Sequence, residues 1–325
     1  MSEHPNGESS RTEQALLAQL LQRMLDDQRR ARRGRWVWRL IKLLVLIALV
    51  AGLCVAIGHS MGEDEEAQPH VGLVRINGVI SPDDEANADA IISAIDDAWE
   101  SPHTVAVILL INSPGGTPVQ AQRIYDEIMR LRKKGGKSID AVIDDMGASG
   151  AYYIASAADH VYASSSSLVG SIGVISAGFG YDELMQNVGI ERRVYTAGSN
   201  KDMLDPFRPE NEEQRAHLQT VLNSTHQKFI ADVKAGRGDR LHETPELFSG
   251  SVWSGDQAVA LGLVDALKSV DTLVREKVED RKAVVDYTLE QPLFERVSKR
   301  MGVAALSALG IDTAASYKPV RTQLP

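Results

Sequence analysis

The sequence predicts an α/β domain with a largely parallel sheet, preceded by one helix that crosses a membrane. Beyond residue 70, short apolar runs that suit buried strands alternate with segments whose apolar residues recur at helical spacing. Alternation of this kind is typical of parallel strands joined by right-handed crossovers. Residues 40–58 are apolar apart from Lys42, and an apolar run of roughly 20 residues is long enough to span a bilayer.

The charges on either side of this apolar run predict its orientation. Arginines are concentrated between residues 29 and 39, and residues 63–66 are all acidic. Because cytoplasmic flanks are rich in arginine and lysine, we expect the N-terminus in the cytoplasm and everything after the helix on the other side. A cleaved signal peptide is disfavoured, since the run is long and begins far from residue 1. The arginine flank argues against a buried core helix.

These patterns divide the chain into successive segments. We expect a cytoplasmic segment at 1–39, the membrane helix at 40–60, an acidic linker at 61–69, a globular domain at 70–290 and a C-terminal tail at 291–325.

Composition excludes several classes of function. The 325-residue chain carries a formal net charge of −9, which argues against a general nucleic-acid binder. Its single cysteine, Cys54, allows no intrachain disulfide. No group of His, Asp or Glu has the spacing of zinc ligands, so we expect neither a metal nor a cofactor. The neighbouring Asp144 and Asp145 are interpreted as solvated charges.

The elements of the globular domain follow from local patterns. Residues 105–111 and 139–143 are continuously apolar, which is typical of strands buried on both faces. Residues 88–99 and 118–134 place isoleucines three or four positions apart, which favours helices with one buried face. The predicted strands are 71–76 with a continuation at 78–80, 105–111, 139–143, 161–163 and 194–196, and the predicted helices are 88–99, 118–134, 149–158, 181–188 and 210–235.

A glycine loop follows one of the buried strands. Residues 112–116 have the sequence NSPGG and connect the strand 105–111 to the helix 118–134. Sites in parallel α/β sheets form at the carboxyl ends of strands, and glycines leave backbone N–H groups open to a ligand. Gly115 and Gly116 are therefore candidates for an oxyanion hole, which needs donors aimed at the developing charge. An ordinary strand-to-helix turn is the alternative.

Ser149 has the same placement after the next buried strand. It opens the helix 149–158, where the helix dipole favours negative charge and the N–H of Gly150 can donate toward the same point. A serine is a poor nucleophile until a base takes its proton. The alternative is a structural one, because serine is also a favoured helix N-cap.

The base for Ser149 is not evident from local pattern. The histidines offer no clear partner, since His160 ends the helix that Ser149 begins and His217 and His226 lie on the long helix. Lysine can act as a base where its surroundings keep it neutral. Lys201 lies in a Gly-Ser-Asn loop, and by itself such a lysine is most simply a solvated surface residue.

Several motifs together resemble the signal peptide peptidase A family, the S49 serine peptidases, including the SohB-like inner-membrane peptidases. The resemblance extends from about residue 71 to residue 265. The motifs are NSPGG at 112–116, ASGAYYIA at 148–155, VGSIGV at 169–174, TAG at 196–198 with Lys201 just after, and AVALGLVD at 258–265.

The resemblance implies a fold, an activity and a set of site residues. The fold would be the Clp protease/crotonase-like spiral of ββα units, and the activity that of a serine peptidase without a cofactor. It implies Ser149 as nucleophile, Lys201 as general base, Gly115 and Gly150 as oxyanion donors, and Gly116 as the residue that shapes the loop.

The resemblance also implies a location and partners. It implies a bacterial inner-membrane protein with its catalytic domain on the extracytoplasmic side, assembled as a homo-oligomeric ring in which neighbouring subunits can share the serine and the lysine. Its substrates would be signal-peptide remnants or other apolar peptides.

An inert peptide-binding membrane scaffold and a crotonase-like acyl-thioester enzyme are the alternatives, and neither needs the pair Ser149 and Lys201.

Overall fold

The computed structural model describes residues 42–46, 49, 68–278 and 283–289 of the 325-residue chain. The strands are β1 (His70–Asn77), β2 (Thr104–Ser113), β3 (Ser138–Ala148), β4 (His160–Ala163), β5 (Leu168–Gly170), β6 (Val252–Ser254), β7 (Ala266–Leu267) and β8 (Val284–Asp286). The helices are α1 (Ala88–Glu100), α2 (Pro118–Lys134), α3 (Gly150–Ser156), α4 (Asp182–Asn187), α5 (Glu212–Arg237), α6 (Gly255–Ala260) and α7 (Val270–Val278), and a 3₁₀ turn at Gly238–Arg240 follows α5.

The strands form one mixed sheet that is mostly parallel. Its order is β6-β5-β3-β2-β1-β8, with β4 paired to β3 and β7 paired to β4. Every pairing is parallel except the antiparallel pair of β5 and β6. The chain is therefore a mixed α/β protein with a parallel-rich sheet, as the alternating pattern predicts.

The long strand β3 divides the sheet into two branches. Its first half pairs with β4, from Asp140 opposite His160 to Ile143 opposite Ala163. Its second half pairs with β5, from Met146 opposite Leu168 to Ala148 opposite Gly170. Ser149 therefore follows directly at the end of the second branch, where β3 gives way to α3.

Apolar layers cover both faces of the sheet. The larger core joins the inner sides of α1, α2 and α3 and the C-terminal part of α5 to the strands. On the other face, Leu273 and Val274 of α7 pack against a smaller cluster that includes Val71, Ile108 and Val142. Burial of β2 and β3 on two faces explains why their central sequences are continuously apolar.

Local sequence explains the limits of α2. Pro118 stands in its first turn, where a missing N–H costs no helical hydrogen bond. Its last turn carries Arg132, Lys133 and Lys134, which suit the negative end of the helix dipole. Gly135, with φ 70°, ends the helix and donates its N–H to Leu131 O and Arg132 O. α2 has the bounds that the sequence predicts.

A buried charged group holds the C-terminal part of the domain to α5. The Arg237 side chain is fully buried and donates to Gly262 O (2.8 and 3.0 Å) and to both Asp265 oxygens (2.8 and 2.9 Å). Burial acts to raise the pKa of Asp265, but hydrogen bonds from Arg237 and from the Val161 N–H hold it below its usual range. The pair links α5, β4 and the turn before β7.

The structure confirms most predicted elements and corrects two of them. The predicted strand continuation at 78–80 is not a strand, because only Ile80 forms isolated bridges there, to Ala86 and Gly116. The predicted strand at 194–196 is not a strand, because these residues have no neighbouring strand to pair with among the described residues. The sequence analysis did not identify β5 to β8, α6 or α7, all of which are short.

The predicted membrane helix at 40–60 lies mostly outside the described residues, which include only 42–46 and 49 of it. Within the part of the chain that the structure describes, no helix combines the length and apolarity needed to cross a bilayer. The predicted tail at 291–325 also falls outside the described residues.

Candidate active site

Ser149 occupies a sharp turn between β3 and α3. Its backbone has φ 52° and ψ −123°, a conformation that residues with a side chain rarely adopt. Such a conformation costs about 1–3 kcal/mol and persists where its surroundings hold it, here partly through the Ser149 N–H bond to Gly170 O (2.8 Å). The Ser149 side chain makes no capping hydrogen bond, so the N-cap role left open by the sequence is not used.

The glycine loop lies directly against this turn. A Cβ atom added to Gly115 would lie 2.6 Å from the Gly150 N and 2.8 Å from the Ser149 Cβ. One added to Gly116 would lie 1.9 Å from Ile80 O. Both positions must therefore be glycine for the loop to fit between Ile80 and Ser149, and the fold brings Gly115, Gly116, Ser149 and Gly150 together.

Hydrogen bonds distinguish the two loop glycines. The Gly115 N–H donates to the buried Ser113 Oγ (3.1 Å), so this N–H is already engaged. The Gly116 N lies 3.2 Å from where a Gly150 Cβ would stand. Among the described residues, neither the Gly116 N–H nor the Gly150 N–H has a hydrogen-bond acceptor. These two N–H groups, rather than that of Gly115, suit the role of oxyanion donors.

A cavity of about 130 Å³ opens beside Ser149. Its wall combines the glycine turn with apolar side chains and a few polar ones from α5. The lining residues include Pro118, Tyr153, Val174, Ile175, Lys228 and Phe229. A cavity in this position can receive a side chain of a molecule whose carbonyl group reaches Ser149.

Lys201 does not line this cavity. It lies in an exposed turn, where its N–H donates to Gly198 O (3.2 Å). It instead lines a separate surface pocket of about 300 Å³, together with Arg192, Thr196 and Asp205. One chain therefore does not bring the predicted base to the predicted nucleophile, and the lysine that lines the Ser149 cavity is Lys228.

The segment that carries Lys201, residues 175–211, is unusually open. None of its residues is buried, and its helix α4 has no buried side chain. Large apolar side chains point into solvent, among them Ile175 (84% exposed), Phe179 (73%) and Tyr195 (92%). Contiguous exposed apolar surface marks a site of association in soluble domains. We call residues 175–211 the Lys201 segment below.

No described histidine is hydrogen-bonded to Ser149. His226 bonds to Ile172 O (3.0 Å) and His160 bonds to the buried Asp140 (2.8 Å). Asp144 and Asp145 are exposed, as predicted. The described residues contain no group of His, Cys, Asp or Glu that could hold a metal ion.

A serine on a strained turn, facing open N–H groups of a glycine loop on a parallel-rich sheet, is the arrangement expected of a serine hydrolase. The model of Peptidase family S49 matches residues 131–284, which include Ser149 and Lys201. The "Putative protease MJ0651" of Methanocaldococcus jannaschii is 32% identical over 219 residues, covering 65% of this chain and 69% of that protein. The chain belongs to peptidase family S49.

Other relatives carry different names. The "Putative signal peptide peptidase SppA" of Enterococcus faecium is 29% identical over 237 residues, covering 69% of each chain. A Brucella abortus protein named "Na(+)/H(+) antiporter NhaA" is 41% identical over 227 residues, which are 70% of this chain and 30% of that protein. This chain spans less than a third of that longer protein, and ion transport is not inferred for it.

Two features of the site were missed by the sequence analysis. Ser113 accepts a hydrogen bond from the Gly115 N–H, and a serine two positions before a glycine pair carries no signal for this by itself. Lys228 reaches the cavity from α5, and its pairing with Asp232 four residues later is a sequence signal that could have been noticed.

Proposed function

We propose that this protein is a membrane-anchored serine endopeptidase in which Ser149 is the nucleophile and Lys201 of a second copy is the general base. The observation that carries the proposal is the strained Ser149 turn against the Gly115–Gly116 loop, within a chain of peptidase family S49. The Clp/crotonase-like spiral is part of the proposal, supported by the division of the sheet along β3.

The chemistry would proceed through an acyl-enzyme. Neutral Lys201 accepts the proton of the Ser149 hydroxyl while Oγ attacks the peptide carbonyl carbon. The oxyanion that forms is bound by the N–H groups of Gly116 and Gly150. Lys201 then gives the proton to the leaving amine, the C–N bond breaks, and water hydrolyses the ester with the same lysine as base.

A base from a second copy would account both for the distance of Lys201 from the Ser149 cavity and for the exposed apolar side chains around Lys201. Lys201 is exposed and lies outside the Ser149 cavity, and the segment around it exposes large apolar side chains. Docking of this segment on a neighbouring copy would bury those side chains and bring the lysine out of water, which disfavours its charged form. Head-to-tail contacts of this kind close into rings.

The membrane setting and the substrates complete the proposal. The apolar run at 40–58 and its arginine flank support a single anchor, with the catalytic domain outside the cytoplasm of a bacterium. Apolar lining at the Ser149 cavity supports substrates such as signal-peptide remnants or membrane-protein segments.

Complementation between two inactive variants tests the mechanism and the shared site together. Ser149→Ala and Lys201→Ala are each expected to lose nearly all cleavage of a fluorogenic apolar peptide by the detergent-solubilised protein. Co-assembled in equal amounts, they should recover roughly a quarter of wild-type cleavage, because that share of interfaces pairs an intact serine with an intact lysine.

Three outcomes would contradict parts of the proposal. Inactivity of the mixture, with subunit exchange shown by differently tagged copies, would place both residues in one chain. Full activity of Lys201→Ala would require another base. Absence of cleavage by wild-type protein in detergent and in lipid vesicles would favour the peptide-binding scaffold.

A further inference from the structure

One lining residue of the Ser149 cavity, Lys228, belongs to an ion pair that the proposed mechanism does not use. Lys228 lines the cavity, and its Nζ lies 2.6 Å from Oδ1 of Asp232, one turn further along α5. The Asp232 side chain is 11% exposed, whereas that of Lys228 is 52% exposed. The carboxylate therefore lies behind the wall, and the lysine covers its charge on the side of the cavity.

Other side chains hold the Asp232 carboxylate in place. The Tyr153 hydroxyl donates to its second oxygen, Oδ2. The Tyr153 ring stacks on Phe229, with ring centres 4.7 Å apart, and both rings line the cavity. Burial, and then the hydrogen bond to Asp232, raise the pKa of Tyr153 far above its usual range, so the hydroxyl remains a donor. Loss of Lys228 would leave the carboxylate where it is.

The pair leaves the cavity without net charge. Its remaining wall is largely apolar, with Pro118, Val174 and Phe229. A dry apolar cavity of roughly 150 Å³ binds a benzene molecule, and this one of about 130 Å³ has room for one aliphatic or aromatic side chain. A charged side chain entering it would lose water without meeting an unpaired opposite charge.

We propose that Lys228 determines the charge preference of the Ser149 cavity: by neutralising Asp232, it makes the cavity select an uncharged side chain next to the cleaved bond. This rests on the proposed function and adds a specificity-determining residue to it. Removing the lysine alone would leave a buried carboxylate that favours lysine or arginine in the substrate. Removing the carboxylate alone would leave an ammonium group that favours glutamate or aspartate.

Peptide binding to catalytically inactive protein tests this preference directly. The probes are fluorescein-labelled apolar hexapeptides with Leu, Lys or Glu placed at each position in turn, titrated by anisotropy into the full detergent-solubilised chain carrying Ser149→Ala. In this background, Lys228→Met should improve the affinity for Lys relative to Leu about tenfold at one peptide position. Asp232→Asn should shift the same position toward Glu. The double variant Lys228→Met/Asp232→Asn should return to the original preference for Leu.

Two control variants separate the neutralised pair from general effects. Lys228→Arg keeps the charge and should keep the preference for Leu. Lys234→Met removes another lysine of α5 that pairs with a carboxylate outside the cavity, Glu243 (2.7 Å), and should change no ratio.

The inference is overturned if Lys228→Met changes no affinity ratio, if Lys234→Met changes it equally, or if the Ser149→Ala protein binds none of the peptides. Equal loss of affinity for all three peptides would also overturn it, since the lysine would then contact the peptide backbone. Failure of the proposed function is distinguishable: wild-type protein would cleave none of the peptides while the binding ratios still shifted as expected.

Discussion

The surroundings of Ser149 and the Lys201 segment differ in how fully one chain packs them. Ala148, Gly150 and Ala151 on either side of Ser149 are buried, and the turn is held by β5 and the glycine loop. In the Lys201 segment no residue is buried, and Tyr195 is 92% exposed. The position of the serine is thus determined by packing within the chain, whereas that of the lysine is not.

Charges introduced into the Lys201 segment should abolish activity without unfolding the domain. We expect Phe179→Asp combined with Tyr195→Asp, neither of which lines the Ser149 cavity, to lower cleavage by about a thousandfold or more, because buried unpaired charges at an interface would block docking on a second copy. Cleavage rate, particle mass by light scattering and the thermal midpoint would be measured together.

The control for this prediction is Val105→Asp. Val105 is 42% exposed and lies near the start of β2, at the other end of the strand from the glycine loop. If the double variant is monomeric by light scattering and still cleaves peptide, Lys201 acts within its own chain.

Loss of the buried Arg237, unlike charges in the Lys201 segment, should lower the free energy of unfolding of the domain. Arg237→Met leaves the Asp265 carboxylate with only the longer ion pair to Arg240 (3.5 Å), and breaking a buried pair in this way costs about 3–5 kcal/mol. Urea unfolding at neutral pH measures this free energy. Arg215→Ala, which removes an exposed pair with Glu212 on the same helix, should change stability by less than about 0.5 kcal/mol. Equal effects of the two variants would refute the structural role of the buried pair.

A side chain at Gly116 should lower both the free energy of unfolding and the rate of cleavage. Gly116→Ala forces a Cβ into Ile80 O, and such overpacking costs about 1–3 kcal/mol. We also expect cleavage to fall at least a hundredfold, because the donor loop must move, and both unfolding and cleavage would be measured.

Gly135→Ala provides the comparison for Gly116. It also requires strain, at φ 70°, but meets no atom within 4 Å and lies at the far end of α2. A similar loss of stability with cleavage within about twofold of wild type is expected, at a strain cost of about 1–3 kcal/mol. Equal losses of cleavage at the two positions would mean that stability alone, and not loop geometry, limits activity.

The smallest effect is a pH dependence at Asp96, between α1 and α2. Burial and then a hydrogen bond with Glu127 raise the pKa of Asp96 to about 6. A raised carboxyl pKa means that the folded protein binds this proton more tightly than the unfolded chain, so stability falls as the pH rises from the ordinary pKa of 3.8 to about 6.

Asp96→Asn should therefore stabilise the domain at pH 7.5 and lose this advantage near pH 4. Because the Asp96 side chain is 38% exposed and screened by water, we expect no more than about 1 kcal/mol. Urea unfolding at both pH values checks the sign, with Asp89→Asn, at 82% side-chain exposure, as the control. Stabilisation that is equal at the two pH values would contradict the assignment to this carboxyl.

Strands and helices were predictable where the periodicity of apolar residues in the sequence matches the residues that the fold buries. The run 105–111 and the helix α2 met both conditions, and the structure contains them. The three-residue strands β5 and β6 are too short to show a pattern, and their pairing depends on the fork in β3. The predicted strand at 194–196 failed because a β pattern needs a neighbouring strand, and this segment lacks one among the described residues.

Local sequence patterns were sufficient to predict the α/β class, the placement of Ser149 and the glycine loop at the ends of adjacent buried strands, and the membership of family S49 that the motifs indicate. These depend on local patterns, since apolar runs and glycines act through their immediate neighbours. Three features of the site depend on the folded structure: which backbone N–H groups of the glycine loop have no acceptor, the lining of the Ser149 cavity by Lys228 paired with Asp232, and the position of Lys201 outside that cavity. Contacts of this kind join residues far apart in sequence, and no local pattern encodes the distances between them.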